Sequence, residues 1–120
     1  MTASNKLVKV VFIDSDVIRF DDNSELFSYH EQDCCEYHYL DFSQHSLDDF
    51  DDLEFDLSSS SFFERVENYG IRLLPTNGHP ISVPGYGNNS GYYSSNLKLV
   101  LKQPDFERKF DITDCQEIRD

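Results

Sequence analysis

The apolar residues of this chain fall in short runs that alternate with clusters of Asp, Asn and Ser. Leu7 to Ile13 is almost entirely apolar and β-branched, and it ends at Asp14-Ser15-Asp16. The short side chains of such clusters bond to nearby backbone and favour turns. Val17 to Phe20 and Leu26 to His30 are two further short runs, separated by Asp21-Asp22-Asn23-Ser24. The pattern predicts a three-stranded meander with tight turns.

The C-terminal part predicts a hairpin. Asn96 to Lys102 alternates three leucines with Lys98, Val100 and Lys102, which is the period of two of a half-buried strand. Gln103-Pro104-Asp105 forms the turn, and Phe106 to Ile112 returns with Phe106, Phe110 and Ile112 directed to one side.

The middle of the chain is ambiguous, because Asp48 to Leu57 fits the spacing of a helix and that of a strand. We predict a short helix near residues 46 to 51 and strands after Ser61. Residues 75 to 91 hold three of the four prolines and four of the five glycines. They predict a long surface loop, interrupted by one short strand at Ile81 to Val83.

These elements predict one domain over residues 1 to 120 with a mainly β, or β-rich α+β, fold. We expect an antiparallel sheet of short strands, at most one or two short helices, and a long Gly/Pro loop. A chain of 120 residues buries roughly two-thirds of its unfolded surface, and its 10 Phe and 7 Tyr supply material for a core.

The charge of the chain is concentrated in one segment. The formal net charge is −13, from 23 Asp and Glu against 10 Lys and Arg. Residues 20 to 64 contain 14 of these acids and no Lys or Arg, whereas the rest of the chain is close to neutral. This acidic segment makes direct nucleic-acid binding unfavourable, because that affinity comes from Lys and Arg displacing counterions.

The sequence also makes a membrane or secreted protein unexpected. No apolar run approaches the roughly 20 residues that cross a bilayer, and Met1 to Val10 lacks the apolar region of a signal peptide. Three cysteines do not form a disulfide framework and are typical of a reducing compartment. We therefore expect a cytoplasmic protein.

His30-Glu31-Gln32-Asp33-Cys34-Cys35-Glu36-Tyr37-His38 is the densest cluster of potential metal ligands. Thiolate and imidazole groups are the usual ligands of zinc, which takes four donors. We predict one structural Zn²⁺ held by His30, Cys34 or Cys35, and Cys115, with Asp33 or a second histidine as the fourth donor. The alternative is that the cysteines act as small buried apolar residues.

Catalysis has weaker support in the sequence. A nucleophilic cysteine needs an electropositive setting, and residues 20 to 64 are strongly electronegative. The paired carboxylates Asp48-Asp49 and Asp51-Asp52 are more typical of a solvated face than of a general acid and base. The glycines of the 75 to 91 loop miss the dinucleotide-binding spacing. We predict a protein that is not an enzyme.

The acidic residues of the middle segment form the predicted partner-binding site. Carboxylates on one face of an extended strand would recur every ~6.6 to 6.8 Å, close to the spacing of phosphates along one nucleic-acid strand. Such a surface would fit a basic groove built for DNA or RNA. The alternative is that the acids only maintain solubility. The predicted residues are Asp48, Asp49, Asp51, Asp52, Glu54 and Asp56.

Three stretches resemble a small β domain of unknown function from phages and mobile elements. They are the His30 to Glu36 run, Gly91-Tyr92-Tyr93-Ser94-Ser95-Asn96-Leu97, and Ile112-Thr113-Asp114-Cys115. The resemblance spans about residues 7 to 117 and implies a β-rich fold and a phage-like origin. In size and acidity the chain is also similar to anti-CRISPR proteins that inhibit type II (Cas9) effectors.

The similarity to anti-CRISPR proteins, together with the acidic segment, predicts a non-enzymatic inhibitor in the cytoplasm of a bacterial host. It would bind a basic surface of a Cas9-type effector and block the loading of DNA. Two alternatives remain: a phage accessory or structural domain whose acidity serves solubility, and a zinc-dependent hydrolase.

Overall fold

The computed structural model describes residues 7–29, 37–58, 60–88, 97–104 and 106–118. Within these ranges the chain is built from strands, and its longest helical element has four residues, which confirms the mainly β prediction. The strands are β1 (Leu7–Val8), β2 (Val10–Ile13), β3 (Val17–Phe20), β4 (Glu25–Tyr29), β5 (Tyr37–Leu40), β6 (Phe55–Asp56), β7 (Phe63–Val66), β8 (Gly70–Leu73), β9 (Ile81–Asn88), β10 (Lys98–Lys102), β11 (Glu107–Asp111) and β12 (Glu117–Ile118). Two 3-10 helices cover Leu47–Phe50 and Ser60–Phe62.

The first sheet has five antiparallel strands in the order β11-β10-β4-β3-β2. It unites the predicted meander with the predicted C-terminal hairpin, because β10 pairs with β4 and places Leu101 opposite Leu26. The alternation predicted for β10 holds at Leu99 and Leu101, which are fully buried, and at Lys102, which is exposed, but it fails at Val100. Val100, on the opposite face, is also buried.

The second sheet has the order β12-β9-β8-β7, and β5 pairs with β9 as well. β7 and β8 are the strands predicted after Ser61. β9 pairs with β8 along its first four residues and with β5 along its last four. The pairing of β12 with β9 is parallel, and every other pairing within the described ranges is antiparallel.

Both sheets contribute to one hydrophobic core. Phe63 of β7 packs edge-on against Phe110 of β11, with ring centroids 5.2 Å apart. Phe20 of β3 packs against Phe55 of β6 at 5.9 Å. Aromatic rings therefore join the first sheet to the second sheet and to the short β1–β6 ladder.

The prediction of one strand from Leu7 to Ile13 is wrong, because the run is divided at Lys9. β1 pairs with β6, whereas β2 pairs with β3. Between them Lys9 bonds to the β3–β4 turn: its N–H donates to the Asp21 side chain, and its carbonyl accepts from the Asp21 N–H. The change of partner, rather than a turn sequence, divides the run.

The short strand predicted at Ile81 to Val83 is confirmed, but it continues to Asn88 as β9, so the loop predicted over residues 75 to 91 is wrong at residues 84–88. Pro84 has no N–H to donate, but its carbonyl accepts a hydrogen bond from the Asp41 N–H at 2.8 Å. A Cβ at Gly85 would lie 2.5 Å from the Cys115 carbonyl oxygen, so glycine permits a close approach of backbone. Proline and glycine here mark a crowded strand.

Two smaller expectations also change. The predicted helix near residues 46 to 51 is present as the 3-10 helix Leu47–Phe50. Phe106 does not share the buried side of Phe110 and Ile112, because it precedes β11 and is 56% exposed.

None of the helices in the described ranges is long and apolar enough to cross a membrane.

Gly70→Ala should strongly destabilise the fold. The added Cβ would lie 2.0 Å from the Val83 carbonyl oxygen, and β8 and β9 cannot separate there without breaking their ladder. We expect a loss of about 1–3 kcal/mol or more in the free energy of unfolding, measured by urea denaturation. Gly78→Ala is the matched control, because its Cβ would meet only the end of the Leu53 side chain. Equal losses in both variants would contradict the register of β8 and β9.

Candidate functional site: an acidic surface

Aromatic side chains hold the acidic turns of the chain against the core. Phe50 and Phe55 are 2% and 1% exposed, and their ring centroids lie 6.3 Å apart. Because these two rings point inward, the carboxylates that flank them face solvent. Asp48, Asp49, Asp51 and Asp52 are all exposed, whereas Glu54 and Asp56 are partly buried. These six residues are called the acidic surface below.

The backbone of the acidic surface is fixed by the segment before β9. The Asn77 side chain donates to the Asp52 carbonyl at 2.8 Å and accepts from the Glu54 N–H at 2.9 Å. The Thr76 N–H donates to the Glu54 carbonyl at 2.8 Å. These bonds hold Asp52 in a left-handed conformation with a φ of 64°, so the carboxylates project from a defined turn.

The acidic surface is not an extended strand. Leu47–Phe50 is a 3-10 helix, Asp51 and Asp52 form a turn, and only Phe55–Asp56 is strand. The regular spacing considered for carboxylates along a strand is therefore absent at Asp48 to Asp52. Because the carboxylates project from consecutive tight turns, any likeness to phosphates would lie in charge density rather than in a regular repeat.

The fold adds acids that the segment count missed. The Phe42 N–H donates to the Ser15 carbonyl at 3.3 Å, and β2 lies against the 3-10 helix Leu47–Phe50. This contact brings the β2–β3 turn, with the exposed Asp14 and Asp16, to the segment that leads into the acidic surface. The Asp14-Ser15-Asp16 cluster was visible in the sequence as a turn, but its position before residue 20 kept it out of the acidic segment.

Some of the carboxylates of the acidic surface have a structural role. Asp49 accepts a hydrogen bond from the Ser46 N–H at 2.9 Å, and Asp56 accepts one from the Ser58 N–H at 2.9 Å. The bond from Ser46, together with a contact to His45, lowers the pKa of Asp49. Bonds from the side chain and backbone of Ser58 lower the pKa of Asp56. These two carboxylates close the turns in which they lie.

The other carboxylates of the acidic surface close no turn. Asp48, Asp51, Asp52 and Glu54 receive no side-chain hydrogen bond and no ion pair from the described part of the chain. The Lys and Arg ion pairs within that part of the chain use other acids, as in Arg72 with Glu64 at 2.6 Å. Among the described residues, no Lys or Arg is paired with these four carboxylates.

Three of the predicted zinc ligands, His30, Cys34 and Cys35, lie outside the described residues, as does Asp33. Cys115 is described: it is 2% exposed, and burial raises the pKa of its thiol, although a hydrogen bond from the Val66 backbone opposes that effect. Among the described residues, no three His, Cys, Asp or Glu side chains lie close enough to hold a metal ion. The zinc site remains a prediction.

Asp49→Ala should lower the midpoint of thermal unfolding by a few degrees, whereas Asp48→Ala should leave it unchanged. Of these two residues, Asp49 closes a turn and Asp48 does not. Because the folded state lowers the pKa of Asp49 below its ordinary value of 3.8, its contribution is fully present above that pH and is lost as the pH falls further. Melting curves of both variants from pH 7 to pH 2.5 measure the difference between their unfolding midpoints. A difference between the variants that persists at the lowest pH would contradict the role of the carboxylate charge.

Cys115 should resist alkylation in the folded protein. Its thiol is buried and its raised pKa keeps it protonated near neutral pH, while the thiolate is the reactive form. Peptide mass spectrometry after brief iodoacetamide treatment at pH 7.5 should find Cys115 unmodified, and fully modified in urea. Rapid modification of Cys115 without denaturant would show that the thiol is accessible.

Comparison with protein-family models, with curated proteins and with solved structures found nothing that matches this chain.

Proposed function

We propose that this chain is a non-enzymatic protein that uses its acidic surface to bind a basic, nucleic-acid-binding surface of another protein. A Cas9-type effector is the partner class that the sequence resemblance suggests, and blocked loading of DNA is the expected consequence. The observation that carries the proposal is the state of Asp48, Asp51 and Asp52. They are exposed, they close no turn, and no cation of the described residues neutralises them.

The rigidity of the acidic surface supports binding. Phe50 and Phe55 are buried below it, and Asn77 bonds to the backbone on both sides of Leu53. A surface whose backbone is ordered before binding loses less conformational entropy in the complex than a flexible acidic tail does. The carboxylates can then take the place of phosphates in a basic groove. The attraction between these opposite charges also accelerates association.

Exposed, solvated carboxylates favour charge recognition over acid and base catalysis. A general acid or base usually has a pKa displaced by burial or by a specific neighbouring charge, in a cleft that holds substrate. In the acidic surface, pKa shifts accompany hydrogen bonds that close turns, at Asp49 and Asp56. These shifts therefore have a structural cause.

A second candidate function has one observation in its favour. Among the described residues, six aspartates accept hydrogen bonds from backbone N–H groups two or three residues away in the same turn, so part of the acidity has a folding role. They are Asp14, Asp22, Asp41, Asp49, Asp56 and Asp111. A phage accessory or structural domain, whose remaining acids only maintain solubility, would show the same bonds. This candidate predicts that Asp48 and Asp51 tolerate any substitution.

The two candidates separate in a charge-reversal experiment. The variant Asp48→Lys/Asp51→Lys should bind a Cas9-type effector at least about tenfold more weakly than the unaltered chain, because like charges would then face each other. Biolayer interferometry at 50 and 300 mM salt, with and without guide RNA, measures the dissociation constant. Binding of the unaltered chain should weaken over this range, since salt screens exposed charges.

Glu67→Lys/Asp114→Lys is the matched control. It makes the same change in net charge at two exposed acids outside the acidic segment. This variant should bind nearly as well as the unaltered chain. An equal loss in both variants would indicate an effect of net charge alone, and no binding at 50 mM salt would reject the proposal.

A further inference from the structure

The large aliphatic side chains that the fold leaves exposed share one location. Within the part of the chain that the structure describes they are Leu7, Val11 and Leu47, which are 40%, 48% and 45% exposed. Each lies on an element that belongs to the acidic surface, pairs with it or packs against it. Single exposed apolar residues are ordinary on a protein surface, but their confinement to the elements of one charged surface needs an explanation.

Leu47 begins the 3-10 helix that carries Asp48 and Asp49. Side chains three residues apart in a 3-10 helix lie one above the other, so Leu47 is on the same side as Phe50. Phe50 enters the core and is 2% exposed, whereas Leu47 precedes it by one turn and remains nearly half exposed. The bond from the Ser46 N–H to Asp49 holds this turn. Leu47 is therefore presented on ordered backbone next to the carboxylates.

Val11 is exposed on the strand that packs against this helix. β2 is the last strand of the first sheet, and the 3-10 helix Leu47–Phe50 lies against it. The pairing of β2 with β3 shifts register between Val10 and Phe12, so Val11 is the extra residue of a β-bulge. The Phe12 ring is partly covered by Arg19, whose guanidinium carbon lies 5.2 Å from the ring centroid. The bulge thus directs Val11 out of the ladder and leaves its side chain to solvent.

Leu7 lies beside the last carboxylate of the acidic surface. β1 and β6 pair with Leu7 opposite Asp56 and Val8 opposite Phe55. Val8 and Phe55 are buried, so Leu7 and Asp56 occupy the other face of this short ladder. Cβ atoms of directly opposed residues in antiparallel strands are about 4.5–5.5 Å apart. An exposed leucine and a carboxylate are therefore neighbours here as well.

We propose that Leu47, Val11 and Leu7 form an apolar patch that anchors the partner bound by the acidic surface, with Leu47 as the principal anchor. The inference rests on the proposed function and gives the partner a more specific chemistry. Its groove would hold apolar side chains among lysines and arginines. In such interfaces the apolar anchor slows dissociation, while the surrounding charges accelerate association. Imitation of phosphates alone would need carboxylates and no exposed leucine.

The charges around the apolar patch favour a basic partner over a second copy of the chain. Asp14 and Asp16 are exposed in the turn that follows β2, and Asp48 is exposed next to Leu47. In a symmetric dimer through the apolar patch, the same surface of both copies would meet. These acids would then face one another, and like charges opposed across an interface are unfavourable. A basic groove would place cations opposite them instead.

The dissociation kinetics of Leu47→Gln test the inference. On an immobilised Cas9-type effector, biolayer interferometry at 50 and 300 mM salt should show this variant dissociating at least about fivefold faster than the unaltered chain. Its association rate, and the salt dependence of that rate, should not change, because the substitution alters no charge. Phe106→Gln is the matched control, since Phe106 is 56% exposed but precedes β11, at the opposite edge of the first sheet from β2. Circular dichroism checks that both variants fold.

The possible failures of the inference and of the proposed function are distinguishable. If Leu47→Gln dissociates as slowly as the unaltered chain, or if Phe106→Gln dissociates equally fast, the apolar patch is no anchor and the proposed function stands. Sedimentation velocity of the chain alone gives a further test. A dimer that Leu47→Gln abolishes would assign the apolar patch to a second copy and overturn the inference. No binding of the unaltered chain at 50 mM salt would reject the proposed function and the inference together.

Discussion

Hydrogen bonds from backbone N–H groups to aspartate side chains allow a chain with 23 acids to form two compact sheets. Asp14 closes the β2–β3 turn and Asp22 supports the β3–β4 turn, while Asp111 accepts bonds from Thr113 just after β11. Each bond satisfies a donor that the end of a strand would otherwise leave to water. The strands can be short because their turns are held in this way.

The same bonds divide the acids into those that the fold needs and those that it leaves to solvent. Asp49 and Asp56 belong to the first group. Asp48, Asp51 and Asp52 belong to the second and project from turns that Phe50 and Asn77 hold in place. The composition alone overstates how much negative charge is free to meet a partner, and the structure shows where the free part lies.

Local pattern was sufficient for the elements whose turn and strand signals agree. The meander β2–β4, the β10–β11 hairpin and the turn of helix at Leu47–Phe50 were predictable in this way. It failed in the second half of β9, because Pro84 and Gly85 are typical of a loop and their contacts with distant backbone cannot be seen in the sequence. The surface acids at Asp48 to Asp52 were predictable from charge. The proximity of Asp14 to the segment that leads into the acidic surface was not, because it depends on the Phe42–Ser15 bond. The contact between His38 and Gln116 likewise depends on the fold of three separate segments.

We propose that the acidic surface competes with nucleic acid for a basic groove. Fluorescence anisotropy measures this most directly, with a labelled target DNA bound to a guide-loaded Cas9-type effector and the chain added at increasing concentration. We expect the chain to release the DNA at 50 mM salt, and the concentration required for release to rise as salt is added. A DNA anisotropy that stays constant at 50 mM salt, with the folded chain in large excess, would contradict it.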